Sequence, residues 1–162
     1  MLILLTNDDG IHAEGLEALR KSLSAIGDVY VVAPAFEQSG VSHAFSILGM
    51  LRYEEVRHNG ELFGYAVNGT PVDTVKLALD EILPEPPDII VSGINHGENS
   101  GVNILYSGTL AAAMEGTILG IPSIAVSVAS LNVTDFSIAA DFIRKLCLRL
   151  TELELPKDTM LN

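Results

Sequence analysis

Residues 1–34 read MLILLTNDDGIHAEGLEALRKSLSAIGDVYVVAP. Residues 1–5 form a short, continuous apolar run, the pattern of a strand buried on both faces. Leu16, Leu19, Leu23 and Ile26 then recur at helical spacing, with Glu14, Glu17, Arg20 and Lys21 on the other faces. Gly27 supplies the helix stop. A second buried strand, residues 29–33, is closed by Pro34. Strand, helix and strand at this spacing make a βαβ unit, which calls for a parallel pair with a right-handed crossover.

The alternation continues outward from this unit. Residues 35–49 read as a loop rich in Ser and Gly, and residues 53–56 and 62–67 as a hairpin around Asn59-Gly60, a strong turn pair. Gly69-Thr70-Pro71 announces a helix reaching Leu83, with Thr70 as N-cap, Pro71 as first helical residue and Asp73 as reciprocal acceptor. Beyond the stiff connector 84–87 come a third core strand at 88–91, a loop rich in Gly and Asn at 92–106, and a small-residue helix at 109–119. A strand at 123–128 and an amphipathic helix at 134–150 complete the pattern. The expected fold class is α/β, a single Rossmann-like three-layer (αβα) domain over residues 1–162 with a mostly parallel sheet.

The 162 residues suffice for one well-buried core but not for two. Net charge is −12, with only nine Lys plus Arg, which argues against polymeric nucleic acid as a partner. No apolar stretch approaches the ~20 residues of a membrane span, and no signal peptide precedes Leu2. The lone Cys147 has no disulfide partner and reads as a small core residue, so the expected compartment is the cytoplasm, with no membrane partner. Between Lys76 and Arg144 there is no Lys or Arg. An anion bound by that stretch must therefore be held by metal, backbone amides or neutral side chains.

Asn7-Asp8-Asp9-Gly10 stands at the carboxyl end of the first strand, where open α/β sheets bind ligands. Adjacent carboxylates repel each other until a positive charge arrives, and hard oxygens suit Mg²⁺ or Mn²⁺. The competing reading is that Asn7 and the two acids only cap the following helix. Gln38-Ser39-Gly40 and Ser92-Gly93-Ile94-Asn95-His96-Gly97 follow the next core strands, so in a parallel sheet all three loops open at one edge. Asp8, Asp9, Ser39 and Asn95 then offer an all-oxygen set with positions left for water and substrate.

Tyr106-Ser107-Gly108-Thr109 opens the Ala111-Ala112-Ala113 helix. Free amides there, with Ser and Thr hydroxyls, make a phosphate site that needs no basic side chain; alternatively, Thr109 is an ordinary N-cap. His43 and His96 can each protonate a leaving oxygen or hold loop shape, and His12 is similar. His58 reads as solvated, Asp73 as a cap and Glu115 as a supporting group.

These segments carry a resemblance. Asn7-Asp8-Asp9-Gly10-Ile11, Val32-Ala33-Pro34, Gln38-Ser39-Gly40-Val41, Gly69-Thr70-Pro71 and the stretch from Ser92 to Gly97 resemble the SurE family of stationary-phase survival proteins. Leu105-Tyr106-Ser107-Gly108-Thr109, Ala112-Ala113-Met114-Glu115-Gly116 and Gly120-Ile121-Pro122-Ser123-Ile124-Ala125 continue the likeness in order to about residue 128. The resemblance implies a metal-dependent phosphomonoesterase that cleaves nucleoside 5′- and 3′-monophosphates, and in some members short polyphosphate. It implies one Mg²⁺ or Mn²⁺ per subunit on Asp8, Asp9, Ser39 and Asn95. Asp8, Asp9 and Asn95 would be catalytic, and Asn95, Ser107, Gly108 and Thr109 would bind phosphate.

The chain departs from the family pattern at Ala35-Phe36-Glu37, where a polar pair is usual before Gln-Ser-Gly. Family members also run well beyond residue 162. Met160-Leu161-Asn162 therefore reads as the start of a next strand, with the C-terminal portion truncated. A homodimer or homotetramer is expected of the full-length protein, since the further part supplies an extended arm and much of the subunit contact. The runner-up is a nucleotide-binding or oligomerisation module with weak turnover. A haloacid-dehalogenase-type phosphatase would need a second Asp where Gly10 stands. No Gly-x-Gly-x-x-Gly follows the first strand, which disfavours dinucleotide binding.

Overall fold

The computed structural model describes residues 1–153 and 155–162. In chain order the elements are β1 (Leu2–Thr6), α1 (Glu14–Leu23), β2 (Asp28–Pro34), β3 (Tyr53–His58), β4 (Glu61–Val67) and α2 (Pro71–Leu77). They continue with β5 (Ile89–His96), α3 (Gly108–Ile118), β6 (Ser123–Val128) and α4 (Ser137–Leu150). The sheet order is β3-β4-β2-β1-β5-β6. Every neighbouring pair is parallel except the hairpin β3–β4. The chain thus builds outward from β1 through β2 to β4, then returns to lay β5 and β6 on the other side. This reversal opens a crevice at the carboxyl ends of β1 and β5, the switch point where such sheets bind ligands.

Strand alternation sorts the core into two layers. Ile3 and Leu5 of β1, Val31 and Ala33 of β2, and Ile89 and Val91 of β5 pack with Leu16, Leu19 and Leu23 of α1 and with Ala140, Ile143 and Cys147 of α4. Leu4, Val32 and Ile90 face the opposite side, against Val75 of α2 and Ala112 of α3. Cys147 is fully buried and its thiol is pushed up to about 11 by that burial, as suits a packing residue. Among the described residues no helix is long and apolar enough to cross a membrane.

Most expected elements are present, with shifted boundaries. The third core strand extends beyond residue 91 to His96, because Asn95 and His96 pair with Ser127 and Val128 of β6 after a register shift. The segment 101–105 is a 3₁₀ turn rather than open loop. Helix α2 starts as expected, with the full Thr70/Asp73 capping box and Pro71 at its head. It ends at Leu77 and runs on as a π-helical turn over Ala78–Ile82. There Leu83 N donates to Ala78 O, and Pro84 has no N–H to continue. Helix α4 begins at Ser137 instead of 134, where Asp135 Oδ1 accepts from Ser137 N. Leu161 forms a parallel bridge to Ile124 at the β6 edge.

Candidate active site

The acidic pair is held by a turn built from its own neighbours. Asn7 is fully buried, its Nδ2 donates to Gly10 O, and its Oδ1 accepts from Gly10 N. This reciprocal clasp lifts Asp8 and Asp9 onto the tip of the turn. Gly10 has φ +102°, a conformation that a Cβ would strain. A side chain there would also press on the backbone of Phe36.

The acids do not cap the helix that follows. The N-cap of α1 is Ala13, with no side-chain hydrogen bond, so the capping reading of Asp8 and Asp9 fails there. Asp8 instead lies against the start of α3, a hundred residues on in the chain. Thr109 Oγ1 donates to Asp8 Oδ1 at 2.5 Å, and a Cβ on Gly108 would come within 3.0 Å of Asp8 Oδ2. Only glycine lets the helix end approach the carboxylate so closely. The N-cap of α3 is Ser107, whose hydroxyl accepts from Leu110 N. Thr109 is therefore not the cap, as one reading of the sequence had it; its hydroxyl is spent on Asp8.

Burial raises the Asp8 carboxyl, and the Thr109 hydroxyl with the amides of Asp8, Thr109 and Gly108 offsets only part of that rise. Asp9 is pushed up to about 6, by burial first and then by the Asp8 charge, with Glu37 adding to the rise and His96 opposing it. Asp9 Oδ2 is buried with no hydrogen-bond partner among the described residues. Two desolvated acids with an orphaned oxygen are poorly satisfied as they stand, and a cation is what they lack. Among the described residues no three His, Cys, Asp or Glu side chains cluster as a metal site. Further ligands would therefore have to be neutral oxygens.

Asn95, at the end of β5, offers one such oxygen. Its Nδ2 donates to His96 O and Gly97 O, both at 2.9 Å, and Oδ1 accepts no hydrogen bond among the described residues. Ser39 sits on an exposed loop, next to Gln38, whose amide donates to Asp8 O at 2.7 Å. Its hydroxyl donates to Glu37 Oε1 at 2.6 Å, leaving the Oγ lone pairs unused. Among the described residues no hydrogen bond joins the Ser39 hydroxyl to either acid. The donor chemistry thus fits a hard dication: two carboxylates, an amide oxygen and a hydroxyl oxygen.

The remaining histidines separate. His96 is the neighbour that opposes the rise at Asp9, and it rests edge-to-face on Phe136, 4.9 Å between ring centres. His43 is engaged elsewhere, 2.8 Å from Glu115 Oε2. Glu115 is buried and also takes Lys76 Nζ at 2.7 Å. Burial raises its carboxyl, but the hydrogen bonds from Lys76 and His43 outweigh that and leave it below the usual range. The sequence suggested Glu115 and His43 singly; their joint partnership with Lys76 spans three distant segments and leaves no local signal. Glu37 stood out only as a departure from the family pattern, and it proves to be a charge neighbour of Asp9.

Comparison with known proteins places the sequence and the fold. The family model described as "Survival protein SurE" matches residues 3–162. A relative named "5′-nucleotidase SurE" from Chlorobium phaeobacteroides is 54% identical over 160 residues, covering 99% of this chain and 62% of the relative. A relative of the same name from Heliobacterium modesticaldum is 51% identical, covering 100% of this chain and 60% of its own length. The crystal structure of a SurE protein from Aquifex aeolicus superposes with a TM-score of 0.90 at 40% identity, covering 99% of this chain and 64% of that one. The chain spans about three-fifths of the length of these relatives. By family match, identity and fold, the chain belongs to the SurE family.

Proposed function

We propose that this chain carries the phosphomonoesterase site of a nucleotidase, which hydrolyses nucleoside 5′-monophosphates, and also 3′-monophosphates, to nucleoside and phosphate. Short polyphosphate is a further candidate substrate. The supporting observation is the Asp8-Asp9 pair at the switch point of the sheet: Asp8 is buried against the start of α3, and Asp9 is half-buried with its Oδ2 unpartnered among the described residues. The relatives named 5′-nucleotidase supply the substrate class.

In this reading Asp8, Asp9, Asn95 Oδ1 and Ser39 Oγ hold one Mg²⁺ or Mn²⁺. Such a cation, when bound, polarises a phosphoryl oxygen and acidifies a water. The chain's own groups do the rest. The start of α3 receives phosphoryl oxygens without any Lys or Arg, through the Ser107 hydroxyl and the Gly108 and Thr109 amides, which the ligand shares with Asp8. Asn95, fixed by its two backbone bonds, orients the phosphate toward the acids. Asp9 takes the proton of the attacking water as the ester bond to the sugar oxygen breaks. His96, coupled to Asp9, protonates the departing oxygen, whereas His43 is held by Glu115. We place the protein in the cytoplasm, and a homodimer or homotetramer as its assembly.

Phosphate release from nucleoside monophosphates tests this. Turnover should need Mn²⁺ or Mg²⁺, stop with chelator, and fall by about 100-fold or more in Asp8→Asn. Metal-independent turnover, or full activity in the variant, would overturn the reading. Nucleotide binding without turnover would favour the module alternative.

A further inference from the structure

Residues 35–52 connect β2 to β3 without helix or strand, yet the middle of this loop is stitched to the body at successive points. Gln38 N donates to Asp8 O and Ser42 N to Tyr106 O. Thr70 Oγ1 donates to Ala44 O at 2.7 Å, and Ser46 gives its amide and hydroxyl to the two oxygens of Asp73, each at 2.8 Å. Between these lies the His43–Glu115 contact at 2.8 Å. The charged groups facing His43 are Glu115 from α3 and, through it, Lys76 from α2.

Two features make the His43 contact more than another stitch. Glu115 is only 5% exposed, and a carboxylate so placed depends on its few partners. One of them, His43, comes from the loop. Further, only Ser39, Gly40 and Val41 separate Gln38, pinned on Asp8, from Ser42. Consecutive Cα atoms lie ~3.8 Å apart, so a bridge this short, fixed at both ends, has little room to move Ser39. Gly40 and Ser42 both have positive φ, so the bridge turns sharply between its two fixed ends. Without His43, the Ser42 end of the bridge keeps only its amide bond to Tyr106 O, on an exposed residue, ahead of the Ala44 and Ser46 bonds further along.

We infer that His43 is a positioning residue: seated on Glu115, it fixes the Ser39 loop beside the acid pair and so sets the affinity of the site for its divalent cation. This rests on Asp8, Asp9, Ser39 and Asn95 being the ligands. The Ser39 hydroxyl donates to Glu37, so its lone pairs stay available for a cation. The loop need only hold its place.

Calorimetric titration of Mn²⁺ into wild type, His43→Ala, His43→Gln, Ser39→Ala and the His43→Ala/Ser39→Ala double variant tests the inference, with melting temperatures recorded for each. His43→Ala should weaken Mn²⁺ binding about tenfold, the scale set by groups that orient ligands. His43→Gln, which can still donate to Glu115, should recover most of that loss. In the Ser39→Ala background, His43→Ala should add little, since the two changes remove one effect. Unchanged Mn²⁺ affinity in His43→Ala, an additive double variant, or no rescue by Gln would overturn the positioning role. Failure of wild type to bind Mn²⁺ would overturn the cation reading itself, and this inference with it.

Discussion

Replacing Asp9 by Asn should stabilise the metal-free protein. The Asp9 carboxyl stands at about 6 against an ordinary 3.8, raised by burial and then by Asp8. At ~1.36 kcal/mol per pKa unit, that gap of about two units corresponds to about 3 kcal/mol favouring the unfolded state. Asp9 is only half-buried, and solvent screening brings the figure to about 1–2 kcal/mol. For a chain of this size that is a rise of about 3–6 °C in melting temperature. Because the folded pKa is the higher one, the destabilisation is absent below about pH 4, grows between about 4 and 6, and stays constant above. The advantage of Asp9→Asn should follow the same course. Added Mn²⁺ should reverse the ranking, since a ligand at a hundredfold its Kd contributes about 2.7 kcal/mol to wild type alone. Thermal melts with chelator and then with Mn²⁺, across this pH range, make the comparison. A variant that melts below wild type in chelator, or a gap that Mn²⁺ leaves untouched, would refute the reasoning.

Other substitutions probe the same geometry. Thr109→Val removes the hydroxyl that donates to Asp8 Oδ1 and should cost about 2 kcal/mol in chemical denaturation, as a charge-assisted bond to a buried carboxylate is lost. Gly108→Ala improves helix propensity by about 1 kcal/mol yet drives a Cβ within 2.8 Å of Asp8 Cβ. It should destabilise by about 1–3 kcal/mol from overpacking and weaken Mn²⁺ binding; a more stable variant would contradict the close approach. For Asp73, burial raises the carboxyl but the hydrogen bonds from Ser46 and Thr70 outweigh it, leaving it below the ordinary value. Its contribution is therefore present above about pH 4 and lost as pH falls through the lowered value. Asp73→Asn should lower the urea midpoint near pH 7 and flatten its acid dependence.

The βαβ unit was legible because apolar runs and helical spacing leave few alternatives, and the α2 start because Thr70-Pro71-Val72-Asp73 satisfies every cap rule at once. The extension of β5 was not legible. Gly93 and Asn95 disfavour strand locally, and pairing with β6 overrides them. Gly93 did hold a clue, since a Cβ there would meet Val126 O at 2.3 Å, and a glycine within a strand often marks such an approach. At the start of α3 the sequence offered Thr109 as the cap, but Ser107 takes that role and Thr109 turns to Asp8. That contact with Asp8 is one no local pattern reports. For the same reason the acid pair could be noticed as a pair, while its partner, the start of α3, had to be found in three dimensions.

Mn²⁺ occupancy measured alongside turnover weighs most directly on the acid pair. Electron paramagnetic titration should find one tightly bound Mn²⁺ per chain, with phosphate release from a nucleoside 5′-monophosphate rising in step with occupancy. Both should be lost in Asp8→Asn and Asp9→Asn. Turnover at zero occupancy, or a bound Mn²⁺ that persists unchanged when either carboxylate is neutralised, would contradict a catalytic cation at Asp8 and Asp9.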